Sequence, residues 1–396
     1  VVAAPAKAEQ GFGRPQIDSD YVAPGTEVER RLAGFWQELL GLERVGVEDS
    51  FFDLGGHSLI AVRLFAMIRK AFQVDLPISV LFEAPTIRRI AALIPQQGEA
   101  VTDLAEARVA RVPERRFTHV VAMHDGEGGA KTPFFLVAGM FGNVLNLRHL
   151  AHLLGADRPV YGLQARGLYG DAAPHDDLVE AARDYLAEVR VVQPHGPYLL
   201  GGFSGGGITA FEMARQLRAA GEEVAALVTL DTPLPQRRAL TREDRLAIQR
   251  MELKAGGAGY VWRWAKNRVA WEIEKRRVKV DAASDAPQFH NAAIEAAFYA
   301  AIGRYAVGPW DGPMTLFRPP LRGTWEVAPG RLVNSERAYV LHDNDWGRYV
   351  PGLEVFEVPG DHDSMVLEPN VRVLAARMKR VLDAAERVRP RRDAAE

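Results

Sequence analysis

At 396 residues the chain is longer than one hydrophobic core usually organises, so two domains are the starting expectation. A formal net charge of −2 argues against nucleic-acid binding by bulk electrostatics, and 47% hydrophobic with 25% charged residues is an ordinary globular composition. No apolar run is long enough to cross a bilayer and the opening Val1-Val2-Ala3-Ala4-Pro5 lacks secretory-signal features, so a cytoplasmic location is the default. The absence of cysteine excludes disulfides and thiolate metal sites, so any thiol chemistry must come from an attached group.

Residues 1–22 are rich in Ala, Gly and Pro without period and read as a linker. From Thr26 the period changes. Val28, Leu32, Phe35, Trp36, Leu39 and Leu40 recur at three- and four-residue steps, predicting an amphipathic helix ended by Gly41. A second helix is expected after Ser58, with Leu59, Val62, Leu64, Phe65, Ile68 and Phe72 apolar. Two more helical pieces follow at Val80-Leu81-Phe82 and Thr86 to Leu93, separated at Pro85. Residues 23–95 are therefore read as a small four-helix bundle.

Residues 96–116 turn polar and charged and read as an interdomain linker. From Phe117 to about 385, short apolar runs alternate with helical patterns at Thr118–Met123, Phe134–Val137, Val160–Gly162, Tyr198–Leu200, Ala226–Leu230, Met314–Phe317, Ala338–Leu341 and Leu353–Val358. That alternation predicts an α/β sheet that is mainly parallel. About 233–298 shows no clear strand, and Thr241-Arg242-Glu243-Asp244 looks like a capping box opening a helix. This helical insertion, which carries Trp262, Trp264 and Trp271, sits where a lid would sit; residues 386–396 read as a tail.

Two serines stand at turns that display a hydroxyl. Asp53-Leu54-Gly55-Gly56-His57-Ser58-Leu59 places Ser58 where a glycine-bearing loop meets a helix. Capping its own helix would explain Ser58 alone. Gly202-Phe203-Ser204-Gly205-Gly206 follows a strand, precedes a helix and completes G-x-S-x-G, the sharp turn that holds a nucleophilic serine in strained geometry. A serine needs a neutral imidazole to take its proton and a carboxylate to orient that imidazole, in the chain order Ser, acid, His. His362 follows the late strand Leu353–Val358 through Pro359-Gly360-Asp361, with His342 as its main rival and His290 behind it. Asp231 ends the run Ala226–Leu230; Asp343 and Asp345 compete for the acid's role from the loop after Ala338–Leu341, and the chemistry alone leaves them open.

The segment from about Tyr21 to Leu93, through Asp53 to Leu59, resembles the peptidyl carrier domains of nonribosomal peptide synthetases and hybrid polyketide synthases. The resemblance implies that Ser58 receives a 4′-phosphopantetheine arm from coenzyme A through a phosphopantetheinyl transferase, supplying the thiol that the chain lacks. Residues from about Phe117 to Leu382 resemble the type I thioesterase domains of such synthetases. In that family the acid follows the strand after the nucleophile helix, which carries the role to Asp231. The family's oxyanion loop, often H-P-x-G-G, reads Ala138-Gly139-Met140-Phe141-Gly142 here, without the His and Pro; the backbone N–H groups of Met140 and Gly205 are the implied donors.

The expected reaction is release of a carrier-bound acyl thioester, supplied by upstream synthetase modules, to water or to a nucleophile within the acyl chain. A stand-alone or editing serine thioesterase would not need the amino-terminal segment. A purely carrying protein with an inert hydrolase domain would not need a complete set of Ser, Asp and His.

Overall fold

The apolar stripe of residues 28–40 folds as α1 (Glu27–Leu40), which turns Leu32, Ala33 and Trp36 inward. Thr26 and Glu29 cap it reciprocally: the Thr26 hydroxyl accepts from Glu29 N–H at 3.1 Å and the Glu29 carboxylate from Thr26 N–H at 3.0 Å. Gly41 ends it in the left-handed region at φ 67°. α2 (Ser58–Phe72), a 3-10 turn at Ile78–Phe82 and α3 (Ile87–Ala92) follow. Leu64, Ile68, Leu81, Ile87 and Ile90 close one core with Leu32, Trp36 and Phe51. The computed structural model describes residues 12–94, 117–254 and 292–387, save 16, 18, 57, 75, 77, 83, 125, 127–130, 169–171 and 336.

The stretch expected to be linker up to residue 22 is tied to this helical unit. Arg14 grips the fully buried Asp49 with two hydrogen bonds of 2.7 and 2.8 Å, and Ile17 packs on the core. A buried carboxylate requires such a partner, and its partner lies 35 residues away, beyond the reach of local composition. The expected linker at 96–116, the tryptophans at 262, 264 and 271, and His290 lie outside the described residues.

The second unit is built on a seven-stranded sheet in the order β1-β3-β2-β4-β5-β6-β10. Its strands are β1 (Val120–His124), β2 (Phe134–Val137), β3 (Val160–Leu163), β4 (Tyr198–Phe203), β5 (Val224–Leu230), β6 (Met314–Arg318) and β10 (Leu353–Glu357). Only β1 runs antiparallel to its neighbour. The central strands read as unbroken apolar runs because both faces are covered. Phe135 and Val137 of β2 face one core, with α5 (Leu178–Val192) and α6 (Gly206–Ala219). Phe134 and Leu136 face the other, with α4 (Arg148–Leu153) and α9 (Asn370–Arg387).

The insertion after β5 has a helix, α7, from 242 to 254, the last residue described there, and ends in α8 (Ala292–Arg304). Thr241 caps α7 by accepting from Asp244 N–H at 3.1 Å, but the return arm of the expected box is absent. The Asp244 carboxylate takes the Thr241 hydroxyl and the Tyr339 hydroxyl instead, while Thr241 N–H donates to Tyr339 Oη.

Two expectations are corrected. The run Ala338–Leu341 does not join the main sheet: Tyr339–Val340 forms β9 of a separate antiparallel sheet with β7 (Trp325–Ala328) and β8 (Arg331–Val333). Its Tyr339 is drawn to Asp244 of α7, a contact 95 residues away in sequence. α9 also runs past the expected domain end at 385, because Glu386 accepts from Thr132 N–H and from the buried Arg158 at 2.7 and 3.0 Å.

Candidate active site

β2 and β4 are neighbours although β3 lies between them in sequence, so the chain leaves them toward opposite edges of the sheet. Ligands of open α/β sheets bind at such a reversal, beyond the carboxyl ends of the strands. β2 leads there into Ala138–Gly142, where Gly142 N–H donates to Gly139 O at 2.9 Å and closes a turn carrying Met140. β4 leads into Ser204, whose backbone is held in the left-handed region at φ 52°.

Such a turn is possible only with glycine behind it. A Cβ on Gly202 would stand 2.3 Å from the Gly206 backbone, and one on Gly206 2.1 Å from Ala138 O. The same close approach governs the carrier motif. Gly56 N–H donates to Phe51 O at 2.8 Å, and a Cβ there would lie 2.4 Å from that oxygen. The chain then starts α2 at Ser58, next to the exposed Asp53 and Gly55.

Ser204, Asp231 and His362 are brought together, as the sequence reading expects. Neighbouring strands align them: Ser204 N–H donates to Leu230 O at 2.8 Å, Asp231 N–H to Phe317 O at 2.7 Å, and Val358 N–H to Arg318 O at 2.8 Å. Asp231 leaves β5 at φ 42°, a second left-handed, non-glycine residue; such strain costs roughly 1–3 kcal/mol and gathers at functional sites. His362 Nδ1 lies 2.8 Å from Asp231 Oδ2, and its Nε2 lies 2.9 Å from Ser204 Oγ. An ionised carboxylate only accepts, so Nδ1 carries the proton and Nε2 is left to accept from the serine hydroxyl.

The electrostatics keep that arrangement. Desolvation opposes the Asp231 charge, but hydrogen bonds from His362 and Asn344 outweigh it and hold the carboxyl below its ordinary value. Desolvation likewise opposes the imidazolium, yet the Asp231 hydrogen bond and charge prevail and raise the His362 pKa. Phe203 stacks on the His362 ring at 5.3 Å and limits its rotation.

The rival residues serve elsewhere. Asp343 accepts from the backbone N–H groups of Asp345 and Gly347 at 2.9 and 3.1 Å, and Asp345 is paired with Arg238 and Arg348. The His342 carbonyl accepts from Arg318 at 3.4 Å. The loop nevertheless reaches the site through a residue that sequence reasoning missed: Asn344 Nδ2 donates to Asp231 Oδ1 at 2.9 Å. Its only local signal is a turn-forming asparagine, here at φ 49°, between two aspartates. Over the nucleophile turn, Phe298 of α8 packs so closely that a Cβ on Gly205 would meet its ring at 2.4 Å. Beside it a cavity opens between the Ala138–Gly142 loop and α8, lined by Gly139, Met140, Thr209, Ile294 and Phe298 among others.

A G-x-S-x-G turn between strand and helix on a mostly parallel sheet, with Asp231 after β5 and His362 after β10, gives the second unit the α/β-hydrolase architecture. Residues 132–255 match the thioesterase domain family and residues 30–94 the phosphopantetheine attachment site family. The chain is 32% identical to malpinin synthetase of Mortierella alpina over 87% of its own length and 4% of that protein's. It is 30% identical to chondramide synthase of Chondromyces crocatus over 94% of this chain and 10% of the other. Among solved structures, a four-domain nonribosomal peptide synthetase bound to AMP and glycine matches with TM-score 0.48 and 25% identity, over 92% of this chain and 27% of that one. The chain thus carries a phosphopantetheine attachment domain followed by a thioesterase domain, and the relatives it resembles are nonribosomal peptide synthetases. It spans a tenth or less of the length of both curated relatives. Among the described residues no helix is long and apolar enough to cross a membrane.

Proposed function

We propose that this didomain releases a peptidyl or polyketide acyl chain from its own carrier by two-step acyl transfer through Ser204, Asp231 and His362. The observation that carries the reading is the continuous relay from Asp231 through His362 to Ser204, with contacts of 2.8 and 2.9 Å. Ser58 is the attachment point for 4′-phosphopantetheine. The turn before it fits that role, since Asp53 and Gly55 are exposed where a transferase must reach. The group, when attached, supplies the thiol that holds the acyl chain.

His362 Nε2 takes the Ser204 proton as Oγ attacks the thioester carbonyl. The backbone N–H groups of Met140 and Gly205 are assigned to the oxyanion. His362 returns the proton to the departing sulfur, leaving an acyl ester on Ser204. Water or a hydroxyl or amine of the acyl chain then gives up its proton to His362 and attacks that ester, freeing Ser204 with the proton restored. Water yields an acid; an internal nucleophile yields a ring.

The same reading assigns the helical unit through 95, with the Arg14–Ile17 segment packed on it, as a four-helix carrier, 96–116 as the interdomain linker, and 117–387 as the hydrolase with a lid at 233–298. Upstream modules load the carrier, in the cytoplasm. Incubation with coenzyme A and a phosphopantetheinyl transferase is expected to add one arm to the protein and none to Ser58→Ala. Ser204→Ala is expected to load normally and release nothing. Loading of Ser58→Ala, or release by Ser204→Ala at the parent rate, overturns the assignment.

A further inference from the structure

Among the described residues, the hydrolase unit meets the carrier around Leu145 and Arg148. Leu145, in the 3-10 turn Leu145–Leu147, is 3% exposed and buried within the carrier's own hydrophobic cluster, which Leu168 also joins. Three residues on, at the start of α4, the Arg148 guanidinium lies over the Phe52 ring at 4.1 Å. Phe52 and the neighbouring Asp53 precede Ser58 by six and five residues, in the same turn that delivers the chain to α2. Arg148 is partly buried, and that desolvation lowers its pKa, with the Asp53 charge opposing the shift.

The guanidinium is also held from behind. Its Nη1 donates to His152 Nε2 at 3.1 Å, one turn along α4. His152 is itself exposed, and partial desolvation together with the Arg148 charge lowers its pKa, so at neutral pH it accepts rather than competes as a cation. The His124 ring stands edge-on to His152 at 5.3 Å and fixes that acceptor.

We infer that Arg148 is the positioning residue that docks the carrier for release, reading the Phe52-Asp53 edge of the carrier loop by ring stacking and opposite charge. Leucines give adhesion without direction, whereas a planar cation laid on the Phe52 ring, with the opposite charge of the next residue acting on it, fixes the angle at which the loop sits. The segment it belongs to continues directly from the Ala138–Gly142 loop, so the carrier docks on the chain that forms one wall of the site. A guanidinium and two leucines also make a contact that a carrier can leave, as it must to be reloaded.

This inference rests on the release reading above, and the test separates the two. The full didomain is loaded at Ser58 with an acyl arm, loading is verified by mass, and single-turnover release is compared with turnover of the same acyl group as a soluble N-acetylcysteamine thioester. Arg148→Glu, which sets two carboxylates against each other, is expected to slow release from the arm at least tenfold while the soluble thioester turns over at the parent rate. Adding Asp53→Arg to that variant restores the opposite-charge pair, and is expected to recover most of the loss. Unchanged arm release in Arg148→Glu, equal slowing of both substrates, or no recovery in the double variant overturns the docking role. A parent protein that releases neither substrate defeats the release reading, and the docking role with it.

Discussion

Asp231→Asn is the sharpest test of the relay, because the surroundings dictate what the new amide must do. Asn344 Nδ2 already donates to Oδ1 at 2.9 Å, so the amide oxygen is held on that side and its NH2 is turned toward His362. His362 Nδ1, 2.8 Å away, must then accept instead of donate. The ring proton moves to Nε2, which faces Ser204 Oγ at 2.9 Å and can no longer take its proton. Wrong-tautomer substitutions of this kind cost about 10⁴ in kcat, or about 5.4 kcal/mol of transition-state stabilisation. The side chain is isosteric, so circular dichroism and melting should change little while single-turnover release nearly stops. Asp343→Asn is the matched control: its carboxylate serves two backbone N–H groups of its own loop, and kcat is expected to stay within about threefold, a surface-type effect. Retention of more than a tenth of kcat in Asp231→Asn, or an equal loss in Asp343→Asn, refutes the assignment.

Two further outcomes follow from the charges. Asp231 raises the His362 pKa, so kcat/KM of the parent should fall on the acid side at a pH above the ordinary imidazole value of ~6.5. On the residual activity of Asp231→Asn that limb should move to lower pH, because desolvation, which disfavours imidazolium, is then opposed only by the lesser charges of Asp363 and Asp361; a limb that stays put denies the coupling. The second outcome concerns stability. Arg158, 1% exposed, bonds Asp383 and Glu386 of α9 and the Thr132 carbonyl. Breaking a buried pair typically costs about 3–5 kcal/mol, and because these carboxylates are partly exposed and can rehydrate, Arg158→Met is expected to lose about 2–3 kcal/mol at pH 7. Desolvation raises both carboxyl pKa values, but their partners lower them further, so this stabilisation is present above their unfolded values of ~4 and is lost as pH falls through the lower folded ones. Thermal melts of parent and variant should therefore converge in acid; a constant gap denies the role.

What the sequence revealed and what it hid divide along a physical line. Ser204 was legible because the turn that presents it leaves a record in neighbouring positions: a Cβ at Gly202 or Gly206 would strike backbone within 2.3 Å. α1 was legible to the residue for the same reason, since Thr26, Glu29 and Gly41 satisfy its own termini. His362 and Asp231 could be placed at strand ends, yet the choice between Asp231 and Asp343 depended on whether residues 338–341 enter the main sheet. A two-residue strand held by Tyr339 to a helix 95 residues upstream gives no local period by which to decide.

The same limit hid Asn344 and Arg148, and it explains why they matter. Whatever local contacts they make, each meets a partner far away in sequence, Asp231 at 113 residues for Asn344 and Phe52 of the other unit for Arg148. A residue that builds a turn is constrained by covalent neighbours and so announces itself locally. A residue that orients another group is constrained only by the folded state, which any donor or cation at the right place would satisfy. On the proposed reading, the chemistry of release is written in the motifs around Ser204 and Ser58, whereas the delivery of one serine's cargo to the other depends on contacts that only the assembled chain defines.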